Sequence, residues 1–198
     1  QKQKFLKPLL TAEQIAFQNF SEPNAGSDLA SLQSKAVRDG DDWIITGQKT
    51  YISGHGDVDL LFGPIVTDDD APRHRNLGYF LIPAPSQGLE LQRLNLLTGH
   101  DQSFIFMDNV RVPGDHLIGD DHQGWQVTQT TLEIEHGGRG IAFPRDEALE
   151  NLMDFAKDTT RNGRPLSADP VLQQTAMDAY IDSHTHTLLA QRNFWMYQ

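Results

Sequence analysis

The stretch WIITGQKTYISG, Trp43 to Gly54, reads as two short strands, WIITG over Trp43–Gly47 and KTYIS over Lys49–Ser53. β-Branched and aromatic residues fill both, and a pleated strand sets residues two apart on one face. The same texture continues outward through DLLFG (Asp59–Gly63), GYFLI (Gly78–Ile82), LELQRL (Leu89–Leu94), SFIFM (Ser103–Met107) and VRV (Val110–Val112). Between these runs, Asp39-Gly40, the acidic turn Asp68-Asp69-Asp70 before Ala71-Pro72, and Ser86-Gln87-Gly88 read as loops. Many short strands divided by turns predict an antiparallel β-barrel or sandwich, from about residue 12 to residue 120.

From about Gly124 the apolar period changes to that of a helix. Ala148, Leu149, Leu152, Phe155 and Ala156 recur at three and four, as do Met177, Tyr180, Ile181, His184 and Leu188. Asp169-Pro170 supplies an N-cap and a first-turn proline for the second of these helices, and Thr159–Ala168 is its preceding loop. Two such helices cannot bury their apolar faces alone, so residues 121–198 are expected to begin a helical bundle that further helices complete. Residues 1–11 carry helix formers of their own. The fold class is therefore α+β, a β-domain followed by antiparallel helices of an incomplete bundle. QKQKFLKPLL at the start and FWMYQ at the end read as helices cut mid-course, so the chain is expected to be a piece of something longer.

Composition narrows the chemistry. In 198 residues there is no cysteine, which excludes a disulfide framework, a zinc-thiolate site and a catalytic thiol, and suits a reducing compartment such as a bacterial cytoplasm or a mitochondrial matrix. A formal charge of -11 without a Lys/Arg-rich run argues against a nucleic-acid partner. No stretch approaches the apolar length of a membrane-spanning helix, and no membrane span is expected.

Most candidate motifs have an ordinary explanation. No G-x-S-x-G elbow supports a hydrolytic serine. His184-Thr185-His186 puts its two imidazoles on different helix faces, which is wrong for a shared metal, and Asp68-Asp69-Asp70 lacks the spaced oxygens of a calcium loop, so no metal site is expected. Gly137-Gly138-Arg139-Gly140 lacks a preceding strand and reads, with Pro144, as a helix contact or kink.

FSEPNAGSDLASL, Phe20 to Leu32, is different. Its serine hydroxyls and glycine-loosened backbone crowd hydrogen-bonding groups onto one turn without bulk, which suits a ligand rich in carbonyl, hydroxyl or phosphate oxygens. Downstream, Tyr51 and Ser53 set a flat ring beside a hydroxyl, a pairing able to hold a flat cofactor. NVRVPGDHLIGDDHQGW (Asn109–Trp125) and TTLEIEHGG (Thr130–Gly138) follow.

Together, in this order and spacing, these four motifs resemble the acyl-CoA dehydrogenase family of flavoenzymes. The resemblance implies the end of a first helical domain (1–11), a whole middle β-domain (12–120) and the start of a last helical domain (121–198), with FAD in the cleft between the last two. It implies that Gln18, Phe20 and Ser21 line the pyrimidine side of the flavin, that Tyr51 and Ile52 lie against it, Tyr51 in place of the commoner tryptophan, and that Ser53 brings a hydroxyl near flavin N5. Ser27, Glu133 and His136 fall on the substrate side, His136 where relatives usually carry arginine. Glu135 occupies the position from which a minority of the family takes its catalytic base; the majority carry that glutamate further along. A carboxylate desolvated by flavin and acyl chain is a plausible base for an α-proton, and enolate charge would be met by a flavin ribityl hydroxyl and a backbone N–H. The resemblance further implies an acyl-CoA substrate, an electron-transfer flavoprotein as acceptor and a homo-oligomer, dimer or tetramer. In place of the family's E-R-x-x-F-G segment stands TTRNGRPLSADP, with Arg161 or Arg164 for the charge. A non-catalytic subunit of the same fold and a flavin hydroxylase on this scaffold remain as alternatives.

Overall fold

The computed structural model describes residues 2–54, 57–97, 101–135 and 146–196. Two compact units divide it, Gln1–Leu132 and Glu133–Gln198. The first opens with helix α1 (Lys2–Leu10) and holds eight strands: β1 (Ala16–Gln18), β2 (Lys35–Asp39), β3 (Asp42–Ser53), β4 (Leu60–Val66), β5 (Leu77–Pro83), β6 (Leu89–Asn95), β7 (Asp101–Val112) and β8 (Leu117–Ile118). They form one sheet in the order β6-β7-β3-β2-β4-β5-β8, with β1 added beside β4.

The α+β class predicted from the sequence is the one observed, with differences in detail. WIITG and KTYIS belong to a single twelve-residue strand, and SFIFM and VRV to another. The Gly47-Gln48 joint does not end β3 because a long neighbour, β7, pairs along most of its length and absorbs the irregularity as register shifts. Three strands of this unit escaped the sequence reading: Ala16–Gln18 and Leu117–Ile118 are too short to show a period, and KAVRD is too polar. Nor is the sheet wholly antiparallel, since β1 runs parallel to β4 and so does the start of β2.

Trp43 on β3 and Phe80 on β5 meet edge to face at 5.5 Å between ring centroids. Three strand spacings separate β3 from β5 in the ladder order, about 14 Å if the sheet were flat, so the sheet curls. Inside that curl Trp43, Ile45, Ile52, Leu61, Ile65, Phe80, Ile82, Ile105, Met107, Val110 and Val112 pack into one core. The other face of β5 is also covered: Leu77 and Tyr79 pack with Phe20, Leu29 and Leu32, and Leu81 with Phe5 of α1. A strand buried on both sides needs no alternation, which is why GYFLI reads as an unbroken apolar run.

Helix α2 (Gly124–Glu135) starts where two backbones touch. A Cβ built on Gly124 would lie 2.6 Å from the carbonyl carbon and oxygen of Gly78, so nothing larger than glycine fits. The second unit holds α3 (Glu147–Asp158) and α4 (Pro170–Met196), joined by a hairpin of β9 (Thr160–Arg161) and β10 (Arg164–Pro165). Its turn is Asn162-Gly163, both residues at positive φ, the chemistry of a two-residue hairpin loop; the sequence reading took this segment for plain loop. Asp169 caps α4 as expected, its carboxylate accepting from the Val171 amide at 2.9 Å. Along α4, Val171, Met177, Tyr180, Ile181, Leu188 and Leu189 are exposed within this unit.

Candidate functional site

Strand β3 changes phase near its end. Trp43, Ile45 and Lys49 point inward at odd positions, then Thr50 and Ile52 are buried at even ones. Between Lys49, paired with Ile105, and Ile52, paired with Ser103, β3 carries one residue more than β7. This bulge falls at Tyr51, which takes a left-handed conformation with φ 58°. Its consequence is that Tyr51 and Ser53 both face outward, Tyr51 with 61% of its surface exposed. An unbroken alternation from Trp43 would have buried both. The Tyr51 ring lies 6.4 Å from that of Phe104 on β7, and the Ser53 hydroxyl accepts a hydrogen bond from the Gln102 amide at 3.3 Å.

Ser21 comes to the same edge from another part of the chain. The Thr50 amide donates to the Ser21 carbonyl at 2.9 Å, which joins the FSEPNAGSD turn to the bulge. On either side of Ser21, Phe20 and Glu22 turn inward and are buried, while Ser21 is half-buried. The Phe20 ring packs edge to face on Phe62 and Tyr79, so the side chain belongs to the core. Ile52 is likewise a core side chain. Gln18, on β1, pairs with Phe62 of β4.

Glu22 meets the fully buried Lys49 ammonium at 3.0 Å, and accepts from the Gln33 and Ser34 amides at 2.7 and 3.1 Å. Burial alone would raise the Glu22 carboxyl, but Lys49 and the two amides hold it below its ordinary value. Burial pushes Lys49 down to about 8 against the pull of Glu22. Lys49 also donates to the carbonyls of Phe20 and Pro64, at 3.1 and 3.0 Å. The sequence signal for this pair was a lysine in register with core residues of a strand, easily read as a solvated one.

Ser27 is exposed at the turn's far end. Its neighbour Asp28 pairs with Arg73, from the loop joining β4 to β5, and in that loop His74 stacks on Trp125 of α2 with ring centroids 4.5 Å apart. Asp69 of the acidic triplet pairs with Lys35. On α2, Glu135 shares a helix face with Gly124, Thr128 and Thr131, at spacings of four, three and four. Thr128 is fully buried, and Thr131 lies 3.3 Å from the Tyr79 hydroxyl. Glu133 stands on a different face of that helix. His136, Gly137–Gly140 and Pro144 lie outside the described residues. Arg161 and Arg164 face each other across the β9–β10 pair. Among the described residues, no helix is long and apolar enough to cross a membrane.

Two family models match, one described as acyl-CoA dehydrogenase, middle domain, over residues 18–110, the other as acyl-CoA dehydrogenase, C-terminal domain, over residues 122–198. The acyl-CoA dehydrogenase FadE34 of Mycobacterium tuberculosis is 37% identical over 168 residues, 82% of this chain and 24% of that protein. Among solved structures, a steroid acyl-CoA dehydrogenase titled Tcur3481-Tcur3483 superposes with a TM-score of 0.79 at 28% identity, covering 98% of this chain and 49% of that one. Glutaryl-CoA dehydrogenase in complex with glutaryl-CoA does so with a TM-score of 0.79 at 26% identity, covering 98% and 50%. The chain thus spans about half the length, or less, of these relatives.

Proposed function

The chain belongs to the acyl-CoA dehydrogenase family, and we propose that the protein it comes from is an FAD-dependent acyl-CoA dehydrogenase that introduces an α,β-double bond into an acyl-CoA thioester. What supports this reading is the bulged end of β3, where Ser21, Tyr51 and Ser53 share one edge although their segments lie about thirty residues apart in sequence. A flavin suits that edge: the exposed Tyr51 ring and the Ser53 hydroxyl both face outward, Ser21 is fastened beside them by its carbonyl, and neither Phe20 nor Ile52 projects into the way.

In this reading Tyr51 would lie against the isoalloxazine, Ser53 would bring its hydroxyl toward N5, and Gln18, Phe20 and Ser21 would hold the pyrimidine side, with Ile52 beside Tyr51. When bound, the flavin would supply the two-electron acceptor for the hydride leaving the β-carbon. Glu135 removes the α-proton, and Ser27 contacts the CoA portion. Glu133, on another face of α2, is assigned no proton transfer. Electrons pass to an electron-transfer flavoprotein, and the full protein is a homo-oligomer.

The test is the visible spectrum of the full protein and its anaerobic bleaching by a panel of thioesters, from glutaryl-CoA to steroid acyl-CoA, the acyl classes of the two solved relatives. A yellow protein bleached by one class is the expected result. Flavin that no thioester bleaches would overturn it, and hydroxylated product with oxygen uptake would establish a hydroxylase instead. A second reading, a subunit kept for assembly, is favoured by the two-component title of the steroid relative; it predicts bleaching only when a partner chain is added.

A further inference from the structure

Four segments converge on the Lys49 side chain, and the way they converge has a bearing on Ser21. The ammonium has three protons to donate, and three acceptors surround it: the Phe20 carbonyl, the Pro64 carbonyl and the Glu22 carboxylate. Glu22 in turn receives the Gln33 and Ser34 amides. The end of the β1 segment, the run into β2, the bulge of β3 and the middle of β4 are thereby tied at one buried point. Both neighbours of Ser21 are among the groups held, one by its carbonyl and one by its carboxylate, while Thr50, the residue after Lys49, grips the Ser21 carbonyl itself.

We infer that Lys49 and Glu22 act as positioning residues for a planar ligand at this edge: the ion pair sets the Ser21 turn in register with the bulge that turns Tyr51 outward. The inference rests on the flavin reading for the identity of the ligand, but not for the register itself. Stability does not require an ion pair at such a point. Two apolar side chains of similar volume often serve a core as well or better, whereas a buried polar pair can select one register among several that packing alone would accept. With an apolar pair, the turn would remain attached to the core through Phe20 while the Ser21–Thr50 bond lost its bracing on both sides.

The experiment replaces both partners, Lys49→Met with Glu22→Leu, in the full protein, so that no buried charge is left alone. Three quantities are read: unfolding temperature, hydrogen exchange of peptides covering residues 47–54 and 77–83, and the FAD dissociation constant. The expected result is a folded variant in which exchange at the Thr50 amide rises about tenfold while the β5 peptide is unchanged, and FAD binding weakens about tenfold. A folded variant that keeps both Thr50 protection and FAD affinity overturns the inference. Should the unaltered protein bind no FAD, the flavin reading falls, and the exchange result alone still decides the positioning role. If the double variant does not fold, Lys49→Met with Glu22→Gln, which likewise leaves no buried charge alone and keeps the shape of the Glu22 side chain, is carried through the same measurements with the same criteria.

Discussion

The Glu22 carboxylate and the Lys49 ammonium lie 3.0 Å apart with side-chain exposures of 5% and 0%. Removing one member of such a pair strands the other in the core, at a cost of about 3–5 kcal/mol. Glu22→Gln is therefore expected to lower the unfolding temperature sharply at neutral pH. Glu22 is held below its ordinary value of 4.5 in the folded state. Its contribution is present above that value and is lost as pH falls through the folded one. The stability gap between unaltered and Glu22→Gln protein should narrow as pH drops below 4.5; a gap that widens there would contradict the assignment.

Tyr51 shows strain and exposure together. A left-handed backbone costs a residue with a side chain about 1–2 kcal/mol, and glycine avoids that cost. Tyr51→Gly should raise the unfolding temperature while weakening FAD binding, by roughly 2- to 12-fold if ring stacking is worth about 0.5–1.5 kcal/mol. Calorimetry and flavin titration on the same preparation check both halves. Lowered stability with unchanged flavin affinity would remove Tyr51 from the site.

Gly124 and Gly78 meet backbone to backbone, and a methyl on Gly124 would press within 2.6 Å of the Gly78 carbonyl. The neighbouring atoms are main chain and have no rotamer with which to yield. Gly124→Ala should therefore cost about 1–3 kcal/mol and loosen the start of α2. Chemical denaturation measures the first, and hydrogen exchange along residues 124–132 the second.

Glu135→Gln removes the proposed base while leaving the side chain's shape. If Glu135 takes the α-proton, dehydrogenation should fall by about 10²–10⁴-fold with FAD content unaltered. Single-turnover flavin bleaching is the measurement. Full activity in that variant would move the base to a glutamate elsewhere in the full protein, the arrangement most of the family is expected to have.

The legible parts of this protein were those whose signal is local. GYFLI announced a strand by its aromatic and β-branched run, and Asp169-Pro170 announced the start of α4, because both depend on neighbours in sequence. KAVRD was missed since a strand three-fifths polar is held by its partners, not by its own composition. The Asn162-Gly163 turn was available in principle: that dipeptide favours a tight hairpin wherever two short extended pieces flank it. Tyr51 and Ser53 were assigned one face from their spacing alone. That face became the outer one only through a bulge that the spacing does not encode.

Taken alone, the order of residues determined the fold class, the family resemblance and the candidate turn at Ser21, for these rest on periodicity, turn chemistry and motif spacing along the chain. Only the folded chain decided that Phe20 and Ile52 are core rings and branches with no surface of their own, that Lys49 is a buried ion and not a solvated one, and that Ser21 is fastened to Thr50. The physical reason is that a side chain's charge, exposure and direction are set by what packs against it from distant segments. A sheet that curls brings residues 20, 49 and 64 to one point through closure that no local window contains.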